Sequence, residues 1–135
     1  MSVPVHKFHR NERLCGKIRI QQLFEQGKTI KLYPLKIVYK VVEDEPNVSV
    51  KFLVSVPKRL IKKAVDRNTI KRRLREAYRL EKHQLIAFCQ ENNLQIDIAY
   101  LYLSNQMPTY KQLSEKVQLS VSTLLQTLSD SKIDL

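Results

Sequence analysis

Between Ala64 and Glu91 the chain reads AVDRNTIKRRLREAYRLEKHQLIAFCQE, a segment that can bury only one of its sides. At about 100° per residue, Ile70, Leu74, Ala77, Leu85 and Phe88 share a sector of roughly 80°. Asn68, Lys71, Arg72, Arg75, Arg79 and Lys82 share a separate sector of about 100°. Arg67 and Arg73 flank the apolar stripe. The pattern predicts one long amphipathic helix, stopped at Asn92-Asn93, with its apolar stripe laid on another layer of the fold.

Strands are available to supply that layer. Val48, Val50, Phe52, Val54 and Val56 alternate with Ser49, Lys51, Leu53 and Ser55, a clear period of two. Upstream, Thr29 to Val42 is β-branched or aromatic, broken by Pro34, and Ile37, Tyr39 and Val41 alternate with Val38, Lys40 and Val42. The EDEPN turn at Glu43 to Asn47 suggests that these two runs form a hairpin. Ile96, Ile98, Tyr100 and Tyr102 alternate with Asp97, Ala99, Leu101 and Leu103, a further and more buried strand. A short helix is expected over Lys17 to Gln26, ended by Gly27. Pro108-Thr109 opens a last helix, with Thr109 and Gln112 at capping-box spacing and Leu113, Val117, Val121, Leu124 and Leu128 as its stripe. The expected class is α+β, a two-layer α/β sandwich in the order α-β-β-β-α-β-α. At 135 residues one domain is expected, set at residues 15–130 between a basic arm (1–14) expected to be mobile and a short tail (131–135).

Charge then narrows the function. The net charge is +11, and residues 58–82 hold 11 Lys and Arg against three acids. A solvated helix face usually mixes signs in i,i+4 pairs, whereas the cationic sector contains no acid. A polyanionic partner fits that pattern, since Arg grips phosphate with two bonds and Asn can meet phosphate or a base edge. No short-turn helix pair or heptad seam exists to place the helix in a DNA groove. Structured RNA, read through its backbone, suits it better. A ribosomal-type or RNA-chaperone protein would share these properties. No apolar run approaches membrane-spanning length, and the N-terminal MSVPVHKFHRNERL has no signal-peptide core, so a soluble cytoplasmic protein without a membrane partner is expected. Cys15 and Cys89 read as two free thiols. His6, His9 and Cys15 fall short of a metal site, and Glu43, Asp44 and Glu45 read as a solvated turn, so no catalytic or metal-binding residue is assigned.

The string A-V-x-R-N-x-x-K-R-x-x-R-E, here Ala64, Val65, Arg67, Asn68, Lys71, Arg72, Arg75 and Glu76, resembles the signature of the bacterial ribonuclease P protein subunit. Arg13-Leu14, Ile20, Phe24 and Gly27 resemble that family's first-helix pattern, and Ser55-Val56 with Lys58-Arg59 resembles its strand end before the basic helix. Two departures stand out. Lys62 occupies a place where the family usually has Gly, within a loop one residue longer, and Ile20 replaces the first aromatic of the helix pair.

The resemblance implies the fold of the second domain of a small-subunit ribosomal protein. It also implies a role as the non-catalytic subunit of an endoribonuclease that removes the 5′ leader from precursor tRNA. The active site and its Mg²⁺ would belong to the catalytic RNA, with no cofactor on the protein. Lys58, Arg59, Lys62, Lys63, Arg67, Asn68, Lys71, Arg72, Arg75 and Arg79 would contact the catalytic RNA. Ile20, Phe24, Tyr39, Lys36 and Lys51 would line a leader cleft between the first helix and the sheet, with Phe24 and Tyr39 stacking on bases. Ordinary core packing is the competing account of Phe24 and Tyr39, and a solvated sheet edge that of Lys36, Lys40 and Lys51.

Overall fold

The computed structural model describes residues 13–42 and 50–133. The expectations placed on His6, His9, the Glu43–Asn47 turn and Val48 lie outside these residues. The elements run α1 (Lys17–Gln26), β1 (Lys28–Leu32), β2 (Leu35–Val42), β3 (Val50–Ser55), α2 (Ala64–Glu91), β4 (Gln95–Tyr102) and α3 (Tyr110–Ile133). The order and the limits of α1 and α2 are those the hydrophobic periodicity implies. The tail begins later than expected, because α3 continues to Ile133. The arm ends earlier, because Leu14 is buried and its N–H donates to Phe52 O at 2.9 Å.

The sheet order β1-β2-β4-β3 overturns one expectation. β2 and β3 do not form a hairpin. β4 lies between them, antiparallel to β2 and parallel to β3. The hairpin is instead β1–β2, with Leu32 opposite Leu35 across Tyr33-Pro34. β4 takes the centre because both of its faces are apolar. Ile96, Ile98, Tyr100 and Tyr102 join Leu35, Ile37 and Tyr39 of β2 and Val50, Phe52 and Val54 of β3 in the main core beneath α2 and α3. On the reverse face Ala99 packs with Val38, Leu14 and Leu23, the last from α1. At the edge its side chains would have strand neighbours on one side only, and each large apolar side chain withheld from burial forgoes about 1.5–3 kcal/mol.

Aromatic packing fixes α2 on the sheet. Phe52 stacks on Tyr78 with ring centroids 3.8 Å apart, and Tyr100 meets Phe52 edge-on at 5.1 Å. Such pairs contribute about 0.5–1.5 kcal/mol beyond burial. The Tyr100 hydroxyl lies 2.5 Å from Ser120 Oγ, which itself donates to Val117 O at 2.7 Å. This chain of donors satisfies a buried phenol whose pKa burial drives upward. All five residues of the expected α3 stripe are buried. The capping box forms in both directions, Thr109 N–H to Gln112 Oε1 at 2.9 Å and Gln112 N–H to Thr109 Oγ1 at 3.1 Å.

Gly27 ends α1, but not through left-handed backbone, since its φ is −74°. A Cβ there would stand 2.4 Å from Leu23 O, 2.8 Å from Val38 Cγ1 and 2.9 Å from Tyr39 O. The residue is glycine so that α1 can approach β2 closely.

Candidate nucleic-acid interface

The cationic side of α2 is narrower than the helical wheel implies. Lys82, expected on the cationic face, is 1% exposed. It stands one helical turn from both Tyr78 and Leu85, on the flank of α2 that the sheet covers, and Lys71 on the same flank is half-buried. The open part is the stripe Asn68, Arg72 and Arg75, spaced i, i+4 and i+7 and all exposed.

The arginines divide by what holds them. Arg67 Nη1 donates to Ile61 O at 3.0 Å and to Lys62 O at 2.8 Å, clamping the turn that leads into α2. Arg73 Nη1 donates to Pro108 O at 2.8 Å and ties α2 to the approach of α3. Arg79 pairs with Glu76, one contact being Nε to Oε2 at 3.2 Å, and this bond draws the Glu76 carboxyl below its ordinary pKa. Arg72 and Arg75 have no hydrogen bond or ion pair among the described residues, so their forks are available to a ligand.

The turn before α2 enlarges this surface. Leu60 and Ile61 N–H both donate to Pro57 O, and Ile61 is buried as an anchor. Lys58, Arg59, Lys62 and Lys63 are exposed around it. Lys62 occupies its place without strain, because Asn93 is the one non-glycine residue with positive φ among those described. The N-terminus of α2 has no side-chain cap, so its unsatisfied N–H groups add to the positive potential. The structure therefore brings together Lys58, Arg59, Lys62, Lys63, Asn68, Arg72 and Arg75. It spends Arg67 and Arg79 on internal contacts.

The reverse face of the sheet carries a second basic surface. Alternation puts Lys36 and Lys40 of β2 on the same side as Val38, with Lys36 opposite Leu101 and Lys40 opposite Asp97; Lys51 of β3 is also opposite Asp97. α1 is fastened there by a bidentate ion pair, Arg19 Nε to Asp97 Oδ2 and Arg19 Nη2 to Asp97 Oδ1, both 2.8 Å. Ile20 packs on the small cluster of Leu14, Leu23, Val38 and Ala99, whereas Phe24 is 42% exposed.

Tyr39 does not join this surface. It is 4% exposed in the main core, on the side of β2 that faces α2 and α3. Its phase with Leu35 and Ile37 decides this, and that phase was already readable in the sequence. The Arg19–Asp97 pair, in contrast, left no signal, because its members are 78 residues apart.

No group of three or more His, Cys, Asp or Glu side chains able to hold a metal occurs among the described residues, and none of their helices is long and apolar enough to cross a membrane. Cys15 is exposed and Cys89 buried, and both are free thiols.

The Ribonuclease P family model matches residues 8–125 of the chain. A ribonuclease P protein component from Porphyromonas gingivalis is 35% identical over 120 residues, 89% of this chain and 88% of that protein. One from Chlorobaculum tepidum is 36% identical over 125 residues, 86% of this chain and 81% of its own. Among solved structures, a Staphylococcus aureus RNase P protein mutant with defective mRNA degradation activity superposes with a TM-score of 0.64 at 18% identity, covering 85% of this chain and 89% of that one. Another S. aureus RNase P protein structure gives 0.56 at 20% identity, covering 87% and 94%. At these identities the two structures establish a common fold.

Proposed function

This chain belongs to the ribonuclease P protein family and serves tRNA 5′ processing, and on that premise we propose that its α2 face binds the catalytic RNA while its reverse face receives the leader of precursor tRNA. The observation that carries the proposal is the split among the arginines. Arg67, Arg73 and Arg79 are held by internal partners, while Arg72 and Arg75, with Asn68 and the lysines before α2, are left open along one stripe. A rigid row of cations with few internal partners contributes little to folding and is matched to a phosphate backbone.

On this reading the protein's contribution is electrostatic and positional. The α2 stripe neutralises phosphates of the catalytic RNA, where the hydrolytic chemistry and its Mg²⁺ reside. On the other face, Lys36, Lys40 and Lys51 attract the leader's phosphates and Phe24 offers a ring for one base, a contact worth about 1–3 kcal/mol. Tyr39 is not part of that cleft, and Ile20 serves it only through its packing on the Leu14, Leu23, Val38 and Ala99 cluster.

Cleavage of a precursor tRNA at low magnesium tests the proposal, with protein alone, a bacterial ribonuclease P RNA alone, and both together. Cleavage that needs both components, or rises strongly when the protein joins the RNA, is expected. Cleavage by the protein alone would place a catalytic site on this chain, and the absence of any stimulation would remove the cofactor-protein role.

A further inference from the structure

Arg13 lies where the described chain begins, and its backbone is fixed there. It forms a parallel bridge with Phe52 at the outer edge of β3, and the next residue, Leu14, is 1% exposed. Bridged residues on neighbouring strands project to the same side of a sheet. The Phe52 ring faces α2, where it stacks on Tyr78, so Arg13 also projects toward α2. Arg75 is three residues before Tyr78, one helical turn away on the same helix. Two guanidinium groups therefore converge from different elements. Partial burial, and next the charge of Arg13, lower the pKa of Arg75.

Among the described residues no carboxylate pairs with either of them. Neither Arg13 nor Arg75 has a hydrogen bond or ion pair among the described residues. Arg19, Arg67, Arg73 and Arg79 all have partners. Two like charges held together opposes folding and has no structural return. The arrangement suits an anion from outside that accepts from both forks at once.

We propose that Arg13 and Arg75 form a two-arginine clamp on a single backbone phosphate of the bound RNA, extending its contact surface from α2 onto the edge of the sheet. The proposal rests on the reading of α2 as the catalytic-RNA face and deepens it, adding a contact from outside the helix. RNA is the source of the phosphate because the clamp is continuous with the exposed stripe of Asn68 and Arg72, along which a strand can be followed.

The test compares wild-type protein with Arg13→Gln, Arg75→Gln and Arg13→Lys. Affinity for a bacterial ribonuclease P RNA is measured across a salt series, and thermal unfolding is followed without RNA. Each Gln variant should bind roughly ten-fold more weakly, the scale of one lost charge-assisted contact. The slope of log affinity against log salt should shrink by about 0.7–0.9. Arg13→Lys should keep the wild-type slope. Because each Gln substitution relieves repulsion, the melting temperature should hold or rise. An Arg13→Gln protein with unchanged affinity and slope overturns the clamp, and so does one whose melting temperature falls, since Arg13 would then be serving the fold. Wild-type protein that fails to bind the RNA overturns the functional reading itself, a result visible before any variant is compared.

Discussion

Replacing Arg19 by methionine should detach α1 from the sheet more effectively than any other single change to that helix. Asp97 is almost wholly enclosed, with 2% of its side chain exposed, and Arg19 retains 20%. Breaking an enclosed pair from one side strands the remaining charge, an effect of about 3–5 kcal/mol when both partners are fully buried. The residual exposure of Arg19, and the positions of Lys40 and Lys51 opposite Asp97, reduce this to about 2–3 kcal/mol. For a chain of 135 residues that corresponds to roughly a 10 °C fall in melting temperature. Asp97→Asn should cost less, because the guanidinium left behind is nearer water and an amide oxygen can still accept from it. The double variant Arg19→Met/Asp97→Leu should recover much of the loss, since an apolar pair of similar volume avoids the desolvation of both charges. Urea unfolding of the wild type, Arg19→Met, Asp97→Leu and the double variant supplies the cycle, and hydrogen exchange at α1 amides reports whether the helix opens first. A cycle with coupling below about 0.5 kcal/mol would show the pair to be no stronger than an exposed surface bridge.

Phe24→Ala should lower the affinity of the reconstituted enzyme for precursor tRNA bearing a leader by about ten-fold or more, the scale of one lost stack, while leaving mature tRNA unaffected. An equal loss for both RNAs, or a melting temperature that falls with no change in leader preference, would assign the ring to packing. Gly27→Ala should destabilise the protein by roughly 1–3 kcal/mol in thermal unfolding, because the new methyl meets two backbone oxygens that cannot move independently. Burial pushes the Cys89 thiol from 9.0 up to about 12. Its folded pKa lies above the unfolded one, so its contribution to stability is intact below pH 9 and is lost as pH rises from there toward 12. Native protein at pH 8 should accept one alkylating group, at exposed Cys15, and two in urea, as read by mass spectrometry.

Much of this architecture is written in periodicities that survive without knowledge of neighbours. The limits of α2 follow from its apolar stripe and from Asn92-Asn93, and the start of α3 from the reciprocal Thr109–Gln112 cap. The order of strands is another matter. It depends on which strand has two apolar faces, and in β4 Asp97 interrupts the second face and conceals its character until Arg19 is seen to neutralise it. The basic face shows the same boundary. Arg67, Arg72, Arg73, Arg75 and Arg79 are equivalent letters in one run. Three are held internally, two of them by backbone carbonyls of Ile61, Lys62 and Pro108, acceptors that every residue possesses and no sequence marks. Tyr39 differs again: its strand phase with Leu35 and Ile37 marks it as core, although an aromatic ring beside lysines also has the chemistry of a stacking platform.

The placement of β4 between β2 and β3 also governs how the chain can assemble as it is made. β2 and β3 are synthesised close together, yet neither finds its native partner in the other. β2 can pair with β1 at once, but its other edge, like the inner edge of β3, waits for residues 95–102, which follow the whole of α2. Until then two adjacent apolar strands present open edges, and the connection most accessible to them is a non-native hairpin. α2 forms from local contacts in the meantime and carries the following segment back toward the sheet. The nascent protein is therefore most vulnerable to mispairing over the interval in which α2 is emerging, and the arrival of β4 closes both edges at once.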